Sequence, residues 1–126
     1  MTTTTANTRR LTMAQALVAH LAALKVEMDD GTTVPYCAGV WAIYGHGNVA
    51  GLGEALAQHR AALPVHRAHN EQAMAHAAIA YAKANFRQRI MAVTTSIGPG
   101  ATNLLTAAAL AHVNRLPVLL LPGDVF

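Results

Sequence analysis

A single carboxylate at the start of a helix, and a glycine-rich turn after the next strand, have residue types and a spacing that suggest chemistry. Asn70 precedes Glu71, which opens an alanine-rich helix. A short apolar strand follows, and the turn Gly98-Pro99-Gly100 then leads into another helix. Taken alone, an acid at a helix start is explained by its favourable interaction with the helix dipole. Taken alone, the turn indicates only a change of chain direction. The functional interpretation therefore depends on finding the acid and the turn together at this spacing.

The turn after an earlier predicted strand offers a different chemistry. Gly45-x-Gly47-x-x-Ala50 has the form of a dinucleotide-binding fingerprint. That fingerprint also needs an acid about 20 residues further on to hold a ribose. His66 and Arg67 occupy that place and suit a 2′-phosphate instead. These residues leave three interpretations open: an NADP-binding oxidoreductase domain, a plain glycine turn, and a ligand-facing loop of another kind.

Several histidines near the carboxylate superficially resemble metal ligands. His66, His69 and His76 lie close in sequence to Glu71. However, His76 is five residues beyond Glu71 and therefore lies off its helical face. The sequence also has no H-E-x-x-H motif and no paired cysteines. We therefore predict no metal ligands in this chain.

Alternating helices and strands must position these residues. Thr12 and Gln15 form a capping box for a first helix that reaches about Lys25, and residues 27–35 are interpreted as a loop. Strands are predicted at residues 39–44, 64–67, 90–94 and 116–121, and helices at 52–62, 71–85 and 99–114. This alternation indicates βαβ units. The predicted fold class is α/β, with a doubly wound parallel sheet and helices on both faces.

The two ends of the sequence carry separate expectations. Residues 1–10 are polar and rich in threonine, so we expect a disordered tail there and one domain over residues 11–126. The sequence stops directly after the fourth predicted strand of the sheet. A doubly wound sheet usually continues, so we expect it to be truncated there and the chain to be part of a longer protein.

Composition excludes some classes of function. Charged residues make up only 12% of the chain, against about 25% in an ordinary soluble domain, so part of the apolar surface should be buried against another domain or subunit. The nine lysines and arginines form no basic run of the kind that binds nucleic acid. No stretch reaches the roughly 18 apolar residues of a membrane span. Cys37 is the only cysteine, so we expect no internal disulfide and a cytoplasmic location.

Glu71, joined at this spacing to the Gly98-Pro99-Gly100 turn, resembles the pyrimidine-binding domain of thiamine-diphosphate-dependent enzymes. The resemblance covers about residues 11–126. It implies thiamine diphosphate and Mg²⁺ as cofactors, with Glu71 as the catalytic acid that exchanges a proton with N1′ of the aminopyrimidine ring. It also implies cofactor-binding residues in and beside the turn: Thr95, Ser96, Gly98, Pro99 and Asn103.

Within that superfamily, four segments resemble the branch that opens a cyclic 1,2-dione to 5-deoxyglucuronate in inositol catabolism: residues 44–49, 70–83, 91–96 and 119–124. On this resemblance His46, Gly47 and Asn48 are candidate contacts for the cyclic dione substrate. The chain lacks the Gly-Asp-Gly…Asn stretch that holds Mg²⁺ and diphosphate in the family. The resemblance therefore implies a separate C-terminal domain and a homo-oligomer. An acetolactate-synthase-like enzyme or 2-oxoacid decarboxylase stays open, as does a non-catalytic interaction module.

Overall fold

The computed structural model describes residues 8–124, which form a parallel sheet between two layers of helices. Along the chain the elements are α1 (Met13–Ala23), β1 (Lys25–Glu27), β2 (Thr33–Pro35), β3 (Cys37–Ala42), α2 (Gly45–Asn48), a π-helical turn (Val49–Gly53), α3 (Glu54–His59), β4 (Val65–His66), α4 (Glu71–Ala84), β5 (Ile90–Thr95), α5 (Pro99–Thr102), α6 (Leu105–Val113) and β6 (Leu119–Pro122). The sheet order is β4-β3-β5-β6, with every pairing parallel. The predicted α/β fold is therefore confirmed.

Alternate residues of the central strands face opposite helix layers. On β5, Ala92 packs with apolar side chains of α1 and α3, whereas Met91 and Val93 pack with those of α4 and α6. All six residues of β5 are buried, which explains why this strand has no polar–apolar alternation. The helices thus cover both faces of the sheet, as a doubly wound arrangement requires.

Helix α4 begins where the sequence predicted. The Asn70 side chain accepts a hydrogen bond from the Ala73 backbone N–H at 2.9 Å, which caps the first turn. One face of the helix is then buried against β5 through small and medium side chains: Met74, Ala75, Ala78, Ile79 and Ala82. The cap and the packed face together fix the position of Glu71 at the N-terminus of the helix.

Helix α1 also has its predicted cap. The Gln15 backbone N–H donates to the Thr12 hydroxyl at 3.2 Å, and the Thr12 backbone N–H donates to the Gln15 side chain at 3.0 Å. The helix ends at Ala23 rather than near Lys25, because Lys25 begins β1. Of the predicted disordered tail, residues 1–7 lie outside the described residues, and residues 8–10 are exposed without regular structure.

The predicted loop at residues 27–35 was wrong, because β1 and β2 form an antiparallel hairpin. Val26 pairs with Val34 across the two strands. The turn is held by Asp30, whose carboxylate accepts hydrogen bonds from the Thr32 backbone N–H at 2.9 Å and from its hydroxyl at 2.6 Å. These bonds hold the pKa of Asp30 below its usual range.

Two predicted helices have different bounds. The helix predicted at 52–62 is preceded by α2 and the π-helical turn, so helical backbone begins at Gly45 and ends at His59. The helix predicted at 99–114 is divided into α5 and α6. The break places Leu104 in the core, where it is 3% exposed. Across residues 8–124, no helix is long and apolar enough to cross a bilayer.

Candidate active site

A crevice is expected where the order of the sheet reverses. The chain leaves β3 towards β4 on one side, and it returns through α4 to β5 on the other side of β3. The chain therefore leaves β3 and β5 in opposite directions along the sheet, and ligands of such sheets bind at the carboxyl ends of those strands. The candidate residues of the sequence lie on the loops after these two strands and on the N-terminus of α4.

The loops after β3 and β5 touch at Gly45. Its φ is +64°, a left-handed conformation that favours glycine. A Cβ added at Gly45 would overlap the Ser96 Cβ and lie 3.1 Å from the Ser96 Cα. The structure thus brings together two segments that were predicted separately, residues 45–48 and residues 95–100.

Glu71 is held by a partner on a different helix. Asn103 follows α5, and its side-chain amide Nδ2 donates to Glu71 Oε2 at 3.0 Å. Both side chains are half-buried. The other carboxylate oxygen, Oε1, lies 3.3 Å from the position that a Cβ at Gly100 would occupy. The same Cβ would overlap the Ser96 hydroxyl, so glycine at position 100 lets the Ser96 hydroxyl and the Glu71 carboxylate pack against the start of α5.

The glycine-rich turn is rigidly connected to α5. Gly98 has a φ of +55°, and Pro99 occupies the first helical position. The Thr102 backbone N–H donates to the Gly98 carbonyl at 2.8 Å. Gly98 and Pro99 are exposed, whereas Gly100 is buried beneath them. The turn therefore has exposed backbone at Gly98 and Pro99, while Gly100 lies next to the Glu71 carboxylate.

Thr95 and Asn48 lie deeper than the other candidates. The Thr95 side chain is fully buried, and its hydroxyl donates to the Ser96 carbonyl at 3.1 Å. The Asn48 amide donates to the Thr95 carbonyl at 3.0 Å and to the Thr94 hydroxyl at 3.2 Å. The Gly123 backbone N–H also donates to the Thr95 carbonyl, at 2.9 Å. The Thr95 carbonyl oxygen thus links the segments that follow β3 and β6 to the end of β5.

Sequence reasoning treated Asn48 as a contact for substrate and overlooked Gly123. A Cβ at Gly123 would lie 3.0 Å from the Thr95 carbonyl and 3.1 Å from the Asn48 amide. The glycine directly after the last strand was the available signal. His46 and Gly47 are exposed on the same turn as Asn48, so the three candidate substrate residues are together in space.

The remaining histidines are placed elsewhere. The His66 ring packs on Trp41 with the ring centroids 5.1 Å apart. His76 Nε2 lies 3.3 Å from Gln72 Nε2 on the same helix. Within residues 8–124, no three His, Cys, Asp or Glu side chains gather as metal ligands.

Tyr44, which directly precedes the turn at residues 45–48, has an uncharged side chain. Burial raises the pKa of its phenol, and the positive charge of Arg67 lowers that pKa by less. The phenol therefore keeps its proton at neutral pH and can act as a hydrogen-bond donor.

Comparison with known families decides between the possibilities. Residues 37–126 match the family described as "Thiamine pyrophosphate enzyme, N-terminal TPP binding domain". The chain belongs to this family. The resemblance that rested on Glu71 and the glycine-rich turn is thereby confirmed at the level of the family, and thiamine diphosphate is the cofactor that the domain binds.

The chain is also similar to curated bacterial proteins named 3D-(3,5/4)-trihydroxycyclohexane-1,2-dione hydrolase. It is 52% identical to the protein from Listeria innocua over 97% of this chain and 19% of the relative. It is 54% identical to the protein from Geobacillus thermodenitrificans over 95% of this chain and 19% of the relative. The chain thus spans about a fifth of the length of these relatives.

The residues around Glu71 fit one part of thiamine diphosphate, the aminopyrimidine ring. The carboxylate can share a proton with a ring nitrogen, because Asn103 binds only one of its two oxygens. A flat ring can approach the exposed backbone at Gly98 more closely than it could approach a side chain. The metal ion that accompanies the diphosphate needs several oxygen ligands, and residues 8–124 hold no group of three His, Cys, Asp or Glu side chains that could supply them.

Proposed function

We propose that this chain is the pyrimidine-binding domain of a thiamine-diphosphate-dependent hydrolase that cleaves the carbon–carbon bond of trihydroxycyclohexane-1,2-dione. The observation that carries the proposal is the half-buried carboxylate of Glu71, held by Asn103 beside the backbone of Gly100. The names of the curated relatives, which are 52–54% identical to this chain, support the substrate. The expected product is 5-deoxyglucuronate.

Each candidate residue then has a proposed task. When bound, the cofactor supplies a nucleophilic carbon for attack on one carbonyl of the dione. Glu71 holds and exchanges a proton with N1′ of the pyrimidine, while Ser96 and Gly98 shape the wall of the ring pocket. His46 and Gly47 lie towards the substrate, and Asn48 supports them from below. Thr95 acts from within the core, since its side chain is fully buried.

The other parts of the site belong to the rest of the intact enzyme, meaning the complete polypeptide that carries this chain. We propose that a further domain supplies the ligands of Mg²⁺ and the diphosphate, and that residues 11–126 are the pyrimidine-binding unit. We also propose a homo-oligomer. The low content of charged residues, 12% of the chain, supports burial of this domain against others.

Replacement of Glu71 tests the proposal. Glu71→Gln keeps the shape and can still accept the Asn103 hydrogen bond, but it cannot exchange a proton with N1′. We expect exchange of the cofactor's C2 proton for deuterium, measured by NMR in the intact enzyme, to slow by roughly two orders of magnitude or more. Cofactor affinity should fall much less, because the diphosphate is anchored elsewhere.

The chain offers a matched control at another helix start. Glu54 lies in the first turn of α3 and is exposed, so Glu54→Gln removes a comparable charge from the helix dipole without touching the site. It should leave C2 exchange unchanged. Equal exchange rates in wild type and Glu71→Gln would remove Glu71 from the chemistry.

Turnover of pyruvate but not of the cyclic dione would favour an acetolactate-synthase-like enzyme, and tight NADP binding would favour the dinucleotide site.

A further inference from the structure

The side chain of Asn103 contacts the carboxylate of Glu71 directly. Its Nδ2 lies 3.0 Å from Glu71 Oε2, although the two residues are 32 positions apart in the sequence. A hydrogen bond from a neutral amide to a carboxylate is stronger than one between neutral groups. Asn103 is therefore able to fix the rotamer of the carboxylate.

The backbone around Asn103 is itself held in place. Its N–H donates to the Pro99 carbonyl at 3.0 Å, and the next residue, Leu104, donates to the Ala101 carbonyl at 3.1 Å. The Leu104 side chain is 3% exposed and anchors this break between α5 and α6 in the core. The amide is thus presented to Glu71 from a fixed point of the fold rather than from a free loop.

The hydrogen bond distinguishes the two oxygens of Glu71. Oε2 accepts the hydrogen bond from Asn103, whereas Oε1 is the oxygen near Gly100, 3.3 Å from the position that a Cβ there would occupy. A carboxylate that could rotate freely would present either oxygen, and in many orientations neither would point towards Gly100. Because the hydrogen bond from Asn103 fixes Oε2, Oε1 is the oxygen that is left for a ligand.

We propose that Asn103 is a positioning residue, which holds Oε2 of Glu71 so that Oε1 is the oxygen that exchanges the proton. This rests on the proposed function for the chemistry, but the contact itself can be tested without it. The proposal differs from the cofactor-binding role expected from the sequence, because Asn103 acts through Glu71 and does not need to touch the ring.

A double-mutant cycle in the intact enzyme separates the two roles. In the wild-type background, Asn103→Ala should slow C2 exchange about tenfold, which corresponds to about 1.4 kcal/mol. In the Glu71→Gln background, the same change should slow exchange less than about twofold, because the carboxylate to be positioned is gone. A full tenfold loss in both backgrounds would show that Asn103 acts independently of Glu71, and would overturn the proposal.

Two further variants show whether slower exchange in Asn103→Ala results from disturbed folding. Asn103→Asp keeps the shape but replaces the donor with an oxygen, so it should slow exchange at least as much as Asn103→Ala. Thr102→Ala removes a neighbouring side chain that donates to the Pro99 carbonyl at 3.1 Å in the same short helix. It should leave exchange unchanged. A loss in Thr102→Ala equal to that in Asn103→Ala would mean that only the helix matters, and would contradict the proposal.

A readout without cofactor distinguishes this inference from the proposed function. In the cofactor-free intact enzyme labelled with ¹⁵N-asparagine, the side-chain amide signal that disappears in Asn103→Asp identifies Asn103. That signal should shift in Glu71→Ala, which removes the acceptor, and stay unchanged in Glu54→Gln. If it shifts while thiamine diphosphate fails to bind, the contact is supported and the proposed function is wrong. If it does not shift, the positioning role is refuted whatever the activity.

Discussion

Replacement of Gly45 by alanine should destabilise the protein for two separable reasons. Gly45 has a φ of +64°, and the left-handed region costs a residue with a Cβ about 1–2 kcal/mol. The new Cβ would also overlap Ser96 and lie 3.1 Å from its Cα. Overpacking of this kind costs about 1–3 kcal/mol. We therefore expect Gly45→Ala to lower the free energy of unfolding by about 2–5 kcal/mol.

A second glycine isolates the first cost. Gly31, in the turn of the β1–β2 hairpin, has a φ of +80°, and a Cβ added there would meet nothing within 4 Å. Gly31→Ala therefore carries the backbone strain alone, about 1–2 kcal/mol. The difference between the two variants measures the contact between the loops after β3 and β5. Ser96→Gly, added to Gly45→Ala, should recover most of that difference because it removes the overlapped Cβ.

Urea unfolding followed by circular dichroism gives these values, provided that the dependence of the free energy on urea is the same for each variant. We expect Gly45→Ala to be the least stable of these variants, and the double variant and Gly31→Ala to be close to each other and more stable. Equal losses for Gly45→Ala and Gly31→Ala would show that the two loops do not touch. A double variant no more stable than Gly45→Ala would lead to the same conclusion.

Three other perturbations have defined outcomes. Asn48→Ala should cost about 1–3 kcal/mol, because the buried Thr94 hydroxyl and the Thr95 carbonyl lose a donor; a thermal unfolding curve no different from that of the exposed Asn114→Ala would contradict it. Burial raises the pKa of the Cys37 thiol, so mass spectrometry should find its peptide alkylated by iodoacetamide far more slowly before than after unfolding. Since the folded state retains this proton more tightly, stability should fall as the pH rises above the ordinary thiol range, and Cys37→Ala should weaken that dependence. Thr12→Ala should lower stability by about 1 kcal/mol through loss of the capping box, and an unchanged unfolding midpoint would argue against the cap.

Features that depend on neighbouring residues were predictable from the sequence. Asn70 caps α4 because a short polar side chain can reach the backbone N–H three residues later, whatever the rest of the chain does. The buried strand β5 was equally clear, since it begins with four consecutive apolar residues. The hairpin of β1 and β2 was missed even though Asp30-Gly31 is a known hairpin signal. Residues 27–35 were interpreted as a loop because they are acidic and contain Gly, Thr and Pro, and strands of only three residues leave little room for an alternating pattern.

Features that depend on distant residues were not predictable. The hydrogen bond between Asn103 and Glu71 requires the crossover through α4 and the break between α5 and α6. The family resemblance placed both residues near one pocket, but no local pattern shows that one holds the other. Asn48 illustrates the same limit, because its amide reaches the Thr95 carbonyl 47 positions away.

The shared carbonyl of Thr95 has a consequence for attempts to redesign the specificity of this enzyme family. Because Asn48 and Gly123 both bind that oxygen, an exchange of the loop at residues 45–48 for that of a relative would also disturb the turn that follows β5. Libraries that seek new substrates should therefore keep Asn48 fixed. They should vary His46, which is exposed, and Gly47, where a Cβ would come no closer than 3.8 Å to the nearest atom.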